Sequence, residues 1–211
     1  AGVGKSTVAK LLAARLGYLY LDTGALYRAF AWKTLQSRIR PTDQAQVTTL
    51  LPGTSIHMQF QHGLVQVLVD GLDVTGDLRT PEVTTAASIV SAIPAVREWL
   101  LPIQRQIGQR GSVVAEGRDI GTKVFPSALF KFFLEADATV RVARRHRELV
   151  AVGRGGTVET TSQDLSDRDR RDRTRSIDPL VPADDARFID TSTLSPDQVV
   201  ERMIAAMSTG S

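Results

Sequence analysis

The stretch that most constrains the fold of this chain is its beginning, Ala1-Gly2-Val3-Gly4-Lys5-Ser6-Thr7. Its Gly4-Lys5-Ser6 part matches the end of the pattern G-x-x-x-x-G-K-[ST], whose first glycine would lie two positions before Ala1. In this pattern, backbone N–H groups and the positive end of the following helix surround nucleotide phosphates. The residues from Gly2 to Thr7 therefore predict a phosphate site, with Lys5 on the β- and γ-phosphates and the Ser6 hydroxyl on Mg²⁺.

The residues after the loop support this interpretation. Between Thr7 and Leu16, apolar side chains occupy positions 8, 11, 12 and 16, the spacing of a buried helix face. Gly17 then stands where a glycine commonly ends a helix. The alternative is an ordinary glycine-rich helix start, which would lack nucleotide chemistry.

The length and composition of the chain limit its domain count and the kinds of site it can contain. The 211 residues fit one α/β domain with insertions, or two small domains. No run approaches the ~18 apolar residues of a membrane span, and the sequence has no cysteine, so disulfides and thiolate metal sites are excluded. We expect a cytoplasmic protein that does not bind a membrane.

Polar residues follow two predicted strands at their carboxyl ends, where open α/β sheets bind ligands. Asp22-Thr23-Gly24 follows the strand 18–21, and Glu116-Gly117-Arg118-Asp119 follows the strand 112–115. The position of Glu116 predicts a carboxylate that organises Mg²⁺ and its waters. In the helix predicted from Ala25, Arg28 is expected to contact either a phosphate or a surface carboxylate.

The middle of the chain departs from the β-α-β alternation. Residues 55–60 and 64–69 alternate apolar and polar side chains around Gln61-His62-Gly63, which predicts a hairpin. Pro81 and Pro94 each predict the first turn of a helix, and these helices carry Ser88 and Arg97. The hairpin therefore indicates an inserted antiparallel unit at 53–80.

Arginine is concentrated between Arg141 and Arg175, where it suits either a nucleic-acid backbone or a small phosphorylated ligand. Aspartates interrupt the cluster, which disfavours a simple polyanion-binding surface. A helix over 161–175 would place Arg168, Asp172 and Arg175 on one face. The alternative for this segment is a solvated face held by ion pairs.

The motifs together resemble the cytidylate kinase family, which phosphorylates CMP and dCMP with ATP in pyrimidine nucleotide metabolism. The segments that carry the resemblance are Gly4-Lys5-Ser6-Thr7, Asp22-Thr23-Gly24-Ala25-Leu26-Tyr27-Arg28, Ala86-Ala87-Ser88, Val96-Arg97-Glu98, Glu116-Gly117-Arg118-Asp119-Ile120-Gly121-Thr122, Asp167-Arg168 and Pro179-Leu180-Val181-Pro182. The resemblance implies a three-layer P-loop kinase with a parallel central sheet. It divides the chain into a core at 1–32 and 82–211, a lid at 152–166 within that core, and an inserted nucleotide-binding domain at 33–81.

The resemblance also implies a function for individual positions. The expected catalytic residues are Lys5, Arg118 and Arg175, with Mg²⁺ held through Ser6 and Glu116. Cytosine would be read by Ser88, Arg97 and Asp119, because a carboxylate accepts from an amino group but not from the carbonyl of uracil. The remaining expected CMP contacts are Thr23, Tyr27, Arg28, Arg118, Arg168, Asp172 and Arg175.

Two other functions compete with this interpretation. One is another small-molecule P-loop kinase, whose acceptor site would lack the joint Ser88, Arg97 and Asp119 set. The other is a nucleic-acid-binding ATPase, suggested by the arginine cluster. A GTPase is excluded because its guanine-reading N-K-x-D motif requires asparagine, which the chain lacks. We expect a monomer that binds ATP and CMP or dCMP and no nucleic acid.

Overall fold

A computed structural model describes residues 2–61, 64–109 and 111–208. Helices alternate with parallel strands, and a separate antiparallel sheet is present, so the predicted α/β class is confirmed. No single helix in these ranges is long and apolar enough to cross a membrane; the one helix pair that meets the criterion jointly is bent by 103°. The chain divides into two compact units, formed by the described residues of 1–21 with 110–211 and by residues 22–109.

The first unit carries the amino-terminal loop and the carboxyl half of the chain. Its elements are α1 (Lys5–Leu16), β1 (Leu19–Asp22, whose last residue begins the second unit), β5 (Val113–Glu116), a π-helical turn (Ile120–Val124), β6 (Phe132–Glu135), α6 (Ala138–Ala151), α7 (Val158–Thr174), β7 (Arg187–Asp190) and α8 (Pro196–Ser208). Strand β1 neighbours β5, and β6 pairs in parallel with β7, with Phe132 opposite Arg187. The carboxyl end of β5, at Glu116, leads into the loop that carries the predicted site residues Arg118 and Asp119.

The core of the first unit lies between α1, α8 and the strands. Helix α1 buries Val8 and Leu12 against Val199 and Met203 of α8, as its apolar spacing predicted. Gly17 ends this helix in the left-handed region, with φ 66°, and its N–H bonds the carbonyls of Ala13 and Ala14. The packing fixes the start of α1, and therefore the loop before it, against the sheet.

The second unit contains the remaining elements. They are α2 (Thr23–Gln36), α3 (Gln44–Thr49), a 3₁₀ turn (Leu51–Gly53), β2 (Ile56–Gln61), β3 (Leu64–Val69), β4 (Leu72–Asp73), α4 (Pro81–Val90) and α5 (Pro94–Gly108). Strands β2 and β3 pair antiparallel with Ile56 opposite Val69, which confirms the hairpin. Of the predicted turn, His62 and Gly63 lie outside the described residues.

Helix α2 is the centre of the second unit. It packs on α4 and on β3 through a fully buried face that includes Leu26, Ala29 and Phe30, and the Phe30 ring lies 5.5 Å from the Trp99 ring of α5. The predicted insertion at 33–81 lies within this unit, which also contains α2, α4 and α5. The boundaries of the insertion and of the lid remain predictions.

The predicted charged helix is present, with ends that differ slightly from the predicted 161–175. The charged helix α7 begins at Val158, where the Thr157 hydroxyl caps it by accepting from the Thr160 N–H, and it ends at Thr174. Arg175 follows the helix in an extended conformation, with ψ 142°. Its φ of −61° and the 3.2 Å hydrogen bond from its N–H to the Arg171 carbonyl nevertheless keep its Cα and Cβ in the helical position, on the face it shares with Arg168 and Asp172, and the chain turns away only after it.

Candidate active site

The phosphate loop has a backbone that only glycine accommodates. Gly2 has φ +78°, and a Cβ atom there would lie 2.7 Å from the backbone carbonyl oxygen of Arg141. Gly4 has φ +87° and occupies the cap position of α1, so the following N–H groups point outward from the helix start. Glycine at position 2 therefore lets the loop pass close to the Arg141 backbone, and glycine at position 4 leaves the start of α1 open to a phosphate.

Lys5 is the first residue of α1 and lies among charged side chains from distant parts of the chain. The pKa of its ammonium group is lowered to about 7, mainly by burial and also by the charges of Arg118 and Arg168, while Glu116 and Asp172 act to raise it. The neighbours show that the structure brings Lys5 together with four of the predicted site residues. A bound anion, such as a phosphate, would therefore stabilise the charged form of this ammonium group.

Glu116 ends β5 and is 9% exposed. The Tyr20 hydroxyl donates a 2.6 Å hydrogen bond to its carboxylate and orients it. This hard oxygen and the hydroxyl of Ser6, in the first turn of α1, are the donor types that Mg²⁺ prefers, and Mg²⁺ keeps waters and phosphates as its other ligands. Within the described residues, no group of three or more His, Cys, Asp or Glu side chains forms a complete metal cage. The donor set therefore fits a metal that arrives with a nucleotide.

Arg118 and Asp172 form a largely buried ion pair. The Arg118 Nε donates to Asp172 Oδ2 at 2.7 Å, and the side chains are 17% and 7% exposed. Burial acts to raise the pKa of Asp172, but the charges of Arg118, Arg168 and Arg175 and the Arg118 hydrogen bond outweigh it and lower that pKa. This excludes the solvated alternative for Asp172, since a solvated carboxylate would not be enclosed by three arginines.

Arg175 is held on two sides after α7 ends. Its Nε donates to the carbonyl of Asp178 at 2.7 Å, and its terminal nitrogen lies 3.8 Å from Asp119 Oδ1. The Arg175 and Asp119 side chains are 5% and 8% exposed. Asp178 adopts the left-handed region with φ 45°, which turns its carbonyl back toward Arg175. The end of the helix places Arg175 beside Asp172, and the turn that follows supplies the carbonyl that holds its guanidinium.

In the second unit, Asp22 organises the start of α2. Its carboxylate accepts from the Ala25 N–H at 3.2 Å and from the Arg28 guanidinium at 2.7 Å. Arg28 therefore has the carboxylate partner that the sequence left as one of two alternatives. Its buried Nε has no hydrogen-bond partner among the described residues, so it retains capacity for an anion. Thr23, the first residue of α2, is 2% exposed.

Ser88, Arg97 and Tyr27 lie on three helices of the second unit. Arg97 is 3% exposed, donates to the Ser91 carbonyl at 3.1 Å, and has its guanidinium carbon 5.5 Å from the Tyr27 ring centre. Ser88 is 7% exposed, and no described residue forms a hydrogen bond with its buried hydroxyl. A buried hydroxyl of this kind normally has a partner, which points to a bound ligand.

The structure thus assembles two sets of predicted residues. The first unit joins Lys5, Glu116, Arg118, Asp119, Arg168, Asp172 and Arg175. The second unit joins Tyr27 with Arg97, and Arg28 with Asp22. Ser88 and Arg97 belong to a different unit from Asp119, so their joint action on one base is a proposal.

The sequence reasoning missed one part of the site. A cavity of about 450 Å³ adjoins the phosphate loop, and its walls include Val3, Arg144, Thr191 and Leu194. Arg144 was noted only as a member of the arginine cluster, and Thr191 was not singled out. A polar residue directly after β7, at a carboxyl strand end, was the signal that could have identified it.

The comparisons with known proteins agree with the geometry. The family model for cytidylate kinase matches residues 1–209. A cytidylate kinase of Pelotomaculum thermopropionicum is 44% identical over all of this chain and 93% of its own length, and one of Desulforamulus reducens is 45% identical over 100% and 94%. A bifunctional pantoate ligase/cytidylate kinase of Synechococcus elongatus is 46% identical over 97% of this chain and 40% of its own length. A full-length match to the family model, together with identities far above chance, shows that this chain belongs to the cytidylate kinase family.

Proposed function

We propose that this protein transfers the γ-phosphoryl group of ATP to CMP and dCMP, giving CDP and dCDP. The observation that carries the proposal is the set of charges around Lys5. A phosphate loop at the start of α1 lies beside Arg118 and Arg168, and Asp172 forms an ion pair with Arg118. Such a set neutralises the charge of two phosphorylated substrates that would otherwise repel each other.

The donor side lies in the first unit. The phosphates of ATP would occupy the N–H groups of the loop and contact Lys5, and the adjoining cavity of about 450 Å³ would receive the base. Ser6 and Glu116 would hold Mg²⁺, directly or through its waters. When bound, the metal would supply positive charge that offsets the negative charge of the donor phosphates.

The acceptor side is assigned residue by residue, as the family resemblance implies. We assign Arg28, Arg118, Arg168 and Arg175 to the phosphate and ribose, with Asp172 accepting from a ribose hydroxyl. Asp119 would accept from the cytosine N4 amino group, while Ser88 and Arg97 would donate to the other polar atoms of the base. The buried Ser88 hydroxyl, without a partner among the described residues, supports this assignment.

The chemistry needs positioning more than it needs a base. The CMP phosphate is already ionised, so its oxygen can attack the γ-phosphorus in line without losing a proton to the protein. Arg118 and Arg175 enter the site with fixed guanidinium groups, because Asp172 and the Asp178 carbonyl orient them at 2.7 Å. Preorganised donors of this kind stabilise the transferring group without further reorganisation. We further propose that the lid, 152–166, closes to exclude water, which would otherwise accept the phosphoryl group.

A substrate survey tests the proposal. We expect ATP-dependent transfer to CMP and dCMP, and much slower transfer to UMP, AMP and GMP. Replacing Asp119 by Ala should reduce the preference for CMP over UMP by about one to two decades, since a hydrogen bond to a charged group contributes about 1.5–3 kcal/mol. Asp185→Ala, which removes an exposed carboxylate bound to Lys131, is the matched control and should leave the preference unchanged.

The substrate survey and the Asp119 variant test different parts of the proposal. Equal kcat/KM values for all four ribonucleoside monophosphates in the wild type would contradict the proposed substrate. A wild-type preference for CMP that Asp119→Ala leaves intact would contradict only the role given to Asp119.

A further inference from the structure

Thr191 connects the phosphate loop to the end of the parallel strands. It follows β7 directly and is 2% exposed. Its hydroxyl oxygen lies 3.0 Å from the carbonyl oxygen of Val3, inside the phosphate loop, and 3.0 Å from the carbonyl oxygen of Glu135, at the end of β6. One side chain therefore bridges segments that are 188 and 56 residues away in sequence.

The hydroxyl has a single proton, which decides what it stabilises. A threonine hydroxyl donates one hydrogen bond and accepts up to two. The Glu135 carbonyl already accepts from the Thr191 backbone N–H at 2.8 Å. The hydroxyl proton therefore stabilises the loop most when it is donated to the Val3 carbonyl. A hydrogen bond to this carbonyl fixes the orientation of the peptide groups next to it, and so the direction of the loop N–H groups.

Thr191 also fixes one wall of the cavity beside the loop. The Arg144 guanidinium donates to the Thr191 hydroxyl at 3.0 Å and to the Thr191 carbonyl at 2.6 Å. Arg144, Thr191 and Val3 all line that cavity. A guanidinium held by two bonds presents its planar face in one orientation, which a flexible arginine would not do.

We propose that Thr191 is a positioning residue for the phosphoryl donor. It aligns the loop through Val3 and the cavity wall through Arg144, so the phosphate and base portions of ATP meet surfaces that are oriented before binding. This inference rests on the proposed function, which places ATP in the loop and cavity. It predicts that loss of the hydroxyl weakens the donor and spares the acceptor.

The test compares Thr191→Val with Thr191→Ser. Valine keeps the shape and removes the hydroxyl, whereas serine keeps the hydroxyl and removes a methyl group. We expect valine to raise the Kd for ATP with Mg²⁺, measured by calorimetry without CMP, about tenfold. The Kd for CMP should change by less than about twofold, and serine should restore the ATP affinity to within about threefold of the wild type.

Thr34→Val is the matched control. Thr34 is fully buried in α2 of the second unit, and its hydroxyl donates to the Phe30 carbonyl at 2.9 Å. The same chemical change there should leave both nucleotide affinities unchanged. If Thr191→Val is too unstable to measure, Thr191→Ser and Thr191→Ala provide the comparison, because they also differ by the hydroxyl.

The outcomes separate this inference from the proposed function. Wild-type protein that neither binds ATP nor phosphorylates CMP would overturn the proposed function. Active wild-type protein whose ATP affinity is unaffected by Thr191→Val, or is lost equally in Thr191→Val and Thr191→Ser, would overturn the role of the hydroxyl alone. Equal weakening of ATP and CMP would also overturn it, because it would indicate a general structural effect.

Discussion

Replacing Lys5 by methionine should stabilise the ligand-free protein while removing its phosphoryl transfer. In the folded state, burial and the nearby arginines lower the pKa of Lys5 from 10.5 to about 7. The folded site therefore disfavours the ammonium charge that ATP later requires. Methionine has a similar length and no charge. It therefore removes the cost of burying the ammonium group and keeps the apolar part of the side chain.

The magnitude follows from the shift in pKa. One pKa unit corresponds to about 1.36 kcal/mol, so a fall from 10.5 to about 7 sets an upper limit of roughly 5 kcal/mol. Lys5 retains partial contact with solvent, which screens its interactions. We therefore expect Lys5→Met to raise the free energy of unfolding by about 1–3 kcal/mol at pH 7.

The sign of the pH dependence is fixed by the same shift. Between about pH 7 and 10.5 the unfolded chain binds a proton at Lys5 that the folded chain does not, so wild-type stability gains from Lys5 as the pH rises through this window. Below pH 7 Lys5 is protonated in both the folded and the unfolded chain, so the full cost of burying its charge reduces wild-type stability. The advantage of Lys5→Met should thus be largest at pH 6–7 and smaller at pH 9.

Urea unfolding at about pH 6, 7.5 and 9 measures this difference, with and without ATP. Lys10→Met is the matched control, because Lys10 lies exposed on the same helix with its ammonium 5.6 Å from the Tyr20 ring centre. Its free energy of unfolding should fall by up to about 1 kcal/mol. Lys5→Met should lose most phosphoryl transfer and keep its CMP affinity within about twofold. A Lys5→Met protein that is less stable than the wild type at pH 6, or whose advantage is equal at pH 6 and 9, would refute the reasoning.

Three further predictions concern the same unit. Gly2→Ala should weaken ATP binding in calorimetry by at least about 1 kcal/mol, since the new Cβ would lie 2.7 Å from the Arg141 carbonyl oxygen; unchanged affinity would show that the loop relaxes freely. Arg175→Ala should lower kcat/KM by at least about 2 kcal/mol, and near-normal steady-state kinetics would remove it from the site. Asp172→Asn should lower the free energy of unfolding at pH 7 by about 2–4 kcal/mol, because it leaves Arg118 without its buried partner. The pKa of Asp172 is lowered in the folded state, so its carboxylate stabilises the protein above about pH 4. The loss of stability in Asp172→Asn should therefore vanish as the pH falls through the folded pKa of Asp172. A difference in urea midpoints that stays constant with pH would contradict this prediction.

The sequence determined the local parts of this protein. The loop before α1, the helix starts at Pro81 and Pro94, and the hairpin of β2 and β3 were all predicted, because spacing and turn chemistry act over a few residues. The polar residues after β1 and β5 could also be located, since the end of an apolar run is visible in the sequence. The family resemblance then gave those residues their expected functions.

The tertiary structure decided which of these side chains meet and in what electrostatic state. Arg175 at the end of α7 reaches Asp119 in the loop after β5, and Arg118 pairs with Asp172 from 54 residues away; helical periodicity shows neither contact. Thr191 meets Val3 only because α1, β6 and β7 pack into one unit. The lowered pKa of Lys5 likewise depends on burial and on charges gathered from distant segments, and such long-range effects leave no periodic signal in a sequence.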